Sequence, residues 1–179
     1  MKKITLLVSI FITFMCLGQE KVTKTLETKK HEIKFGAVKM LAGPIFEGTY
    51  EYINTKDFTF GSSILINLQN DNDYTEDFSV TPFARFYFQE SKEYGANGFF
   101  VEGFAKYVTG RYEKNYIFNN NLDKQKFSCG VLGISLGKKW VNNSGFVFEL
   151  LGGFGRTLGN SSVAPEGFFR GDFNIGYRF

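Results

Sequence analysis

The chain has 179 residues, of which 22 are Phe and 20 are Gly, and aromatic side chains make up 18% of it. Only three Pro are present and helix-favouring runs are absent, a mixture that favours strands, and the length suits one domain with nothing to suggest two. The net charge of +3 includes Lys2 and Lys3 at the amino terminus. Without them 19 basic residues face 18 acidic ones, which gives no basic surface for nucleic acid.

Lys2 and Lys3 precede an apolar stretch over residues 4 to 17, broken only by Thr5, Ser9 and Thr13, and a charged segment begins at Glu20. This is the n-region and h-region of a secretory signal peptide. The stretch is shorter than the about 20 residues a helix needs to cross a bilayer, so cleavage is preferred to anchoring. Cys16, Leu17 and Gly18 offer a small-x-small site, which makes residues 1 to 18 the leader and Gln19 the mature start. Acylation of Cys16 is the rival reading, but Met15 is too large for the residue before a lipoprotein cysteine. Loss of Cys16 with the leader leaves Cys129 alone, which excludes an intramolecular disulfide and a cysteine-based zinc site.

Residues 19 to 30 are polar and lysine-rich, with Val22 and Leu26 the only candidates for an apolar face, and predict a flexible periplasmic tail. From His31 to Phe179 no helical period is sustained, and alternating segments are separated by polar, Asn- and Gly-rich breaks. Eight strands are predicted: 31 to 41, 45 to 54, 58 to 69, 78 to 88, 98 to 112, 127 to 141, 145 to 158 and 167 to 179. An even number suits an antiparallel up-and-down transmembrane β-barrel of the bacterial outer membrane.

Polarity decides between that fold and a soluble, lipocalin-like barrel, since lipid demands an apolar exterior. In the last strand Phe169, Gly171, Phe173, Ile175, Tyr177 and Phe179 share one face, and Arg170, Asp172, Asn174, Gly176 and Arg178 share the other. A one-residue slip would turn three charges to lipid, at roughly 2–4 kcal/mol for an Arg near the midplane. The other strands divide in the same sense. Lys34, Glu47, Glu51, Arg85, Glu102, Lys106, Glu149, Arg170, Asp172 and Arg178 fall on the face assigned to the lumen, five acids and five bases that can pair. Lys39, Lys138 and Arg156 fall on the lipid face near strand ends, where long side chains snorkel. Pro82 lacks the N–H that a closed barrel wants paired, and predicts a bulge or a late strand start.

An even strand number puts both termini on one side, the periplasm. The connections 42 to 44, 70 to 77, 113 to 126 and 159 to 166 then face outward. The long connection 89 to 97 on the periplasmic side and the short outward one at 42 to 44 fit that topology least well.

The run Phe173-Asn174-Ile175-Gly176-Tyr177-Arg178-Phe179 resembles the β-signal of outer-membrane barrels, in which alternating apolar residues and a terminal aromatic are read during assembly. That resemblance implies the barrel-assembly machinery and periplasmic chaperones as partners, besides the lipid bilayer itself. The segment Glu32-Ile33-Lys34-Phe35-Gly36, with Leu41-Ala42-Gly43-Pro44-Ile45-Phe46-Glu47 and Tyr50-Glu51-Tyr52, is similar to the start of a family of small eight-stranded outer-membrane barrels of Bacteroidota. The similarity runs over residues 31 to 179 and departs at Gly36, where that family's pattern leads one to expect a polar residue. It brings no catalytic residues with it.

Chemistry is sparse. Outer-membrane lipid acyltransferases, deacylases and phospholipases need a His beside a Ser or carboxylate near the outer leaflet, so that a proton can be moved during acyl transfer. The only histidine, His31, lies at the opposite, periplasmic end. Asp71, Asp73, Glu76 and Asp77 form an acidic outward loop, but Thr75 and Glu76 stand where a calcium loop wants an oxygen ligand and the turn Gly. Gly133, Gly137 and Lys138 miss the spacing of a phosphate-binding loop, and Gly152-Gly153-Phe154-Gly155 is no dinucleotide fingerprint. The sequons at Asn142 and Asn160 have no expected use. No catalytic residue, metal or cofactor is expected. The leading expectation is a non-enzymatic outer-membrane barrel with an envelope-structural role, or one contacting an unknown surface ligand through outward loops such as 113 to 126, with Tyr116, Phe118 and the Asn run at 119 to 121. A lipid-modifying enzyme and a narrow channel or transporter are the alternatives.

Overall fold

The computed structural model describes residues 26–68, 74–88, 95–113, 124–159 and 164–179. The leader, residues 19 to 25, Asp71 and Asp73, the loop tip with Tyr116 and Phe118, and Asn160 lie outside the described residues. Eight strands pair in chain order, each antiparallel to the next, and the last returns to the first. They are β1 (His31–Gly36), β2 (Ile45–Ile53), β3 (Phe58–Asn67), β4 (Glu76–Tyr87), β5 (Gly98–Glu113), β6 (Lys124–Val141), β7 (Phe146–Leu158) and β8 (Gly167–Arg178). One short helix, α1 (Ala37–Ala42), stands between β1 and β2. The protein is an all-β, closed, up-and-down antiparallel barrel.

Period-two alternation explains why these segments pair as they do. In β2 the burial pattern alternates strictly from Ile45 to Ile53, and in β8 Phe168, Arg170, Asp172, Asn174 and Arg178 turn inward. The start of β1 and the end of β8 meet at one end, called here the terminal end. There His31 N–H donates to Phe179 O (3.2 Å) and Phe179 N–H donates to His31 O (2.8 Å), closing the β1–β8 seam. The tight turn between β6 and β7 lies at the same end. Asn142 Oδ1 accepts the N–H groups of Ser144 and Phe146, and Gly145 takes φ +94°, which a side chain would strain.

Four expectations change. β1 ends at Gly36 rather than running to residue 41, because the Ala, Lys, Met and Leu of α1 favour a helix and Gly43 and Pro44 stop it. At Gly36, a Cβ would overlap the Asp172 carboxylate and press on Glu47 Cβ at 3.4 Å, which is why glycine stands where a polar residue was expected. Pro82 causes no bulge. It sits inside β4 opposite Ser62 of β3, and β4–β5 pairing keeps one register from Val80↔Tyr107 to Phe83↔Phe104; the register shift lies between Glu76 and Phe78. The tail is held from Leu26 onward. Leu26 is buried on Val141 and Val147, and Lys30 O accepts Ile53 N–H at 2.8 Å.

The long connection after β4 helps close the terminal end. Its described residues Ala96 and Asn97 are buried, Asn97 Oδ1 accepts Val141 N–H (2.8 Å), and the carbonyls of Gly95 and Ala96 accept from Arg178.

Candidate functional site: the charged interior

An eight-stranded barrel is just wide enough for side chains to fill its lumen. Here charged side chains share that space with apolar ones. Each of the ten residues assigned to the lumen from the sequence is buried, and Glu32, Glu76 and Lys139 join them. That makes seven acids and six bases. Lys39, its side chain 15% exposed, supplies the seventh base.

A continuous ladder of ion pairs runs from the terminal end toward the far end. Arg178 donates to Glu32 (Nε 2.7 Å), and Lys139 bridges Glu32 (2.8 Å) and Glu51 (2.7 Å). Glu51 also takes Lys34, Arg85 (2.6 Å), the Thr59 hydroxyl (2.6 Å) and the Tyr87 hydroxyl (3.0 Å). Glu149 takes Lys34 (2.6 Å), both terminal nitrogens of Arg85 (2.7 and 3.1 Å) and the Asn174 amide (2.9 Å). Arg85 Nε and Arg170 Nε share Glu102, each at 2.8 Å. Arg170 reaches Glu47 (3.3 Å) and Ser63 (3.1 Å), and Glu47 pairs with Lys39, which stands 3.9 Å from Asp172. Nearer the far end, Lys106 pairs with Glu76 at 2.5 Å.

Aromatic faces line the same space. The Arg85 guanidinium lies 4.3 Å from the Phe83 ring centre and 4.5 Å from that of Phe100, and Arg170 faces Phe104. Around the ladder sits an apolar cluster of Phe83, Phe104, Val108, Phe127, Cys129, Val131 and Phe168. Among the described residues, the buried side-chain oxygens without a hydrogen-bond partner are Ser135 Oγ and Asp172 Oδ2. A network so nearly satisfied rigidifies the fold. Above it, burial and then the nearby Glu76 push the Tyr74 phenol well above its ordinary range, so it stays protonated.

Two of the four added charges were within reach of the sequence. Glu32 shares the parity of Lys34, and Lys139 follows outward Lys138; strict alternation places both inside. Glu76 precedes the predicted start of its strand. Lys39 is a correction: assigned to the lipid face by alternation, it turns inward because α1 replaces the strand. Lys138 and Arg156 do lie on the outer wall, Lys138 over the rings of Phe99 (4.5 Å) and Trp140 (5.2 Å).

The outer wall is the reverse of the lumen. Among the described residues twenty-nine large apolar side chains are exposed, Ile64, Ile134, Leu150 and Phe154 among them. Of the terminal run, Phe173 faces outward beside Phe148, Ile175 is exposed, Tyr177 packs edge-on against Phe146, and Phe179 stacks on His31. His31 Nδ1 lies 2.7 Å from the Tyr50 hydroxyl, and its ring also meets Tyr52, so its side-chain neighbours are aromatic. Gly133, Gly137, Gly152, Gly153 and Gly155 lie inside β6 and β7, in one paired antiparallel ladder and not in a loop that could wrap a phosphate. Among the described residues, no group of three or more His, Cys, Asp or Glu could hold a metal ion.

These features define a closed eight-stranded barrel with an ionic interior and an apolar exterior. Compared with protein-family models, curated proteins and solved structures, the chain matches none of them.

Proposed function

We propose that this chain is an integral outer-membrane barrel of a Gram-negative bacterium, non-enzymatic, serving the envelope structurally or through contacts of its far-end loops. The observation that carries this reading is the inverted polarity: among the described residues, thirteen charged side chains are buried inside and twenty-nine large apolar ones stand outside. Soluble monomers rarely expose apolar patches beyond a few hundred Å². Hydrocarbon, by contrast, favours such a wall and requires a closed barrel, whose backbone groups pair between strands.

Rings mark the terminal end of the wall, including Tyr50, Phe58, Phe86, Phe99, Trp140, Phe146, Tyr177 and Phe179, as an aromatic girdle at a membrane interface would. The terminal end is then periplasmic, the leader is a cleaved export signal, and the run ending at Phe179 is the segment read by the assembly machinery. The Bacteroidota family of small barrels is the proposed kinship. An interior filled by paired charges supports a structural role over a channel, and the aromatic surroundings of His31 give no acyl-transfer centre.

The test is a heat-modifiability gel on the outer-membrane fraction, with the whole chain and with Phe179 removed. The folded barrel should migrate anomalously when unheated, and the truncation should reduce the folded band. A chain recovered in the soluble fraction, or one with no heat shift, would sink the reading.

A further inference from the structure

The barrel closes where β1 meets β8, and this seam is short. β1 has six residues and registers five pairs with β8, against sixteen between β5 and β6. Fewer ladder bonds leave it weaker than the long paired strands elsewhere in the wall. An ion pair reinforces it from inside: Glu32 and Arg178 face each other in register across the seam, both fully buried, with Arg178 Nε 2.7 Å from Glu32 Oε1.

Residues 26–30, which lead into β1 at the terminal end, reach strands on both sides of that seam. On the β8 side, Leu26 is buried on Val141 and Val147 beside the β6–β7 turn, and Lys29 Nζ donates to the Tyr177 hydroxyl at 3.3 Å while lying 5.1 Å from its ring centre. On the β2 side, Lys30 O accepts the Ile53 N–H at 2.8 Å, and Glu27 lies 3.6 Å from Lys56 on the β2–β3 turn. Lys29 N–H donates to Leu26 O at 3.2 Å, so the segment bends within itself to reach both sides. Of its five side chains Leu26 alone is buried, at 1% exposure, and Glu27, Thr28 and Lys30 are exposed.

A segment seated by one apolar side chain and by contacts at the surface can leave without unfolding what it rests on. We propose that residues 26–30 are a releasable clasp on the closing seam. With Leu26 seated, the start of β1 is pinned between β8 and β2. With Leu26 withdrawn, the β1–β8 seam opens locally from the terminal end, at the Glu32–Arg178 rung, while the longer ladders from β2 to β7 stay paired. The clasp concerns how the cylinder is shut and is independent of the solvent that surrounds it.

The experiment is amide hydrogen exchange, read residue by residue by NMR on the chain folded in detergent micelles. Leu26→Ala is mild enough to leave the barrel assembled and removes most of the buried anchor. It should speed exchange about tenfold or more at Ile53, at His31 and Phe179, which exchange N–H···O bonds across the seam, and at Ile33 and Tyr177, paired next along it. Glu102 and Ser135, paired in the middle of the β5–β6 ladder, should keep their rates. Leu26→Met, which preserves the apolar volume, should restore the slow exchange at the seam. Equal acceleration at Glu102 and Ser135 would overturn the proposal by making Leu26 one part of a single cooperative core. Acceleration at Ile53 without His31, Phe179, Ile33 and Tyr177 would overturn it too, since the segment would then lie on the mouth without holding the seam. Rates unchanged in Leu26→Ala, or fast in Leu26→Met as well, would count against it equally.

Discussion

Replacing Glu51 with Gln tests whether the interior is held by paired charges. The Glu51 carboxylate is fully buried and accepts from Lys34, Arg85, Lys139, Thr59 and Tyr87. Gln keeps the volume and one acceptor oxygen but removes the negative charge at the centre of three cations, leaving six acids against seven bases. Breaking a buried pair by removing one partner costs about 3–5 kcal/mol, because the cation left behind stays desolvated. Glu27→Gln is the control. Glu27 lies 3.6 Å from Lys56 with both side chains about half exposed or more (47% and 65%), and its loss should cost less than about 1 kcal/mol. The assay is urea unfolding of the barrel in micelles, followed by emission of Trp140, the one tryptophan, which sits on the outer wall. Adding Lys34→Met to Glu51→Gln removes a cation together with the anion, so the double variant should recover much of the loss. Glu51→Gln within about 1 kcal/mol of the unsubstituted protein, or no recovery in the double variant, would refute the pairing argument and indicate a hydrated lumen.

Three further outcomes follow from the packing. Gly133→Ala should destabilise by about 1–3 kcal/mol or block folding, since its Cβ would overlap the Phe104 ring and come within 2.5 Å of Gly155 Cα and Phe154 O; Gly103→Ala, facing open space, should be neutral in the same urea titration. Asp172→Ala takes the acceptor from the N–H groups of Val38 (3.0 Å) and Phe173 (2.8 Å) and should cost about 1–3 kcal/mol, with faster amide exchange at Val38 than at Tyr50. The purified protein in a planar bilayer should show no unitary conductance; stepwise openings would contradict an interior sealed by the Arg178-to-Lys39 ladder.

Most of the barrel is legible because its inner and outer faces follow the same period. Ion pairing inside and apolar side chains outside each take every second residue, so the parity of Phe169 to Phe179 decides which way Arg170 and Arg178 point. Strand ends are less legible, since pairing continues past the apolar run wherever a charge can turn inward: Glu76 lengthens β4 this way, and Lys106 meets it. Pro82 misleads for a local reason. A residue without an N–H is tolerated where ladder pairing to one neighbour lapses, and the registered β4–β5 pairs pass from Val80 to Phe83. α1 was the hardest to see, because six residues are too few to display a helical period against the strand period on either side. Its composition and the Gly43-Pro44 stop are the signals that could have found it.

The helix also explains how the barrel closes on its far side. β1 reaches only to the pairs Phe35↔Gly48 and Gly36↔Asn174, while β2 continues to Ile45 and β8 to Gly167. Over that stretch no strand lies between β2 and β8, and backbone groups left unpaired away from water cost several kcal/mol each. α1 covers the opening. Its Val38, Met40 and Leu41 side chains are exposed on the wall, and Lys39 turns inward to Glu47 of β2 and toward Asp172 of β8. Asp172 in turn accepts the Val38 N–H, so the two edges are tied through one lysine, one helix and two carboxylates instead of a ladder. Side-chain ties of this kind open more readily than a paired strand. That makes the β2–β8 seam the place where the wall should yield first, and it gives the far-end part of the ion ladder a second task, holding the cylinder shut as well as filling it.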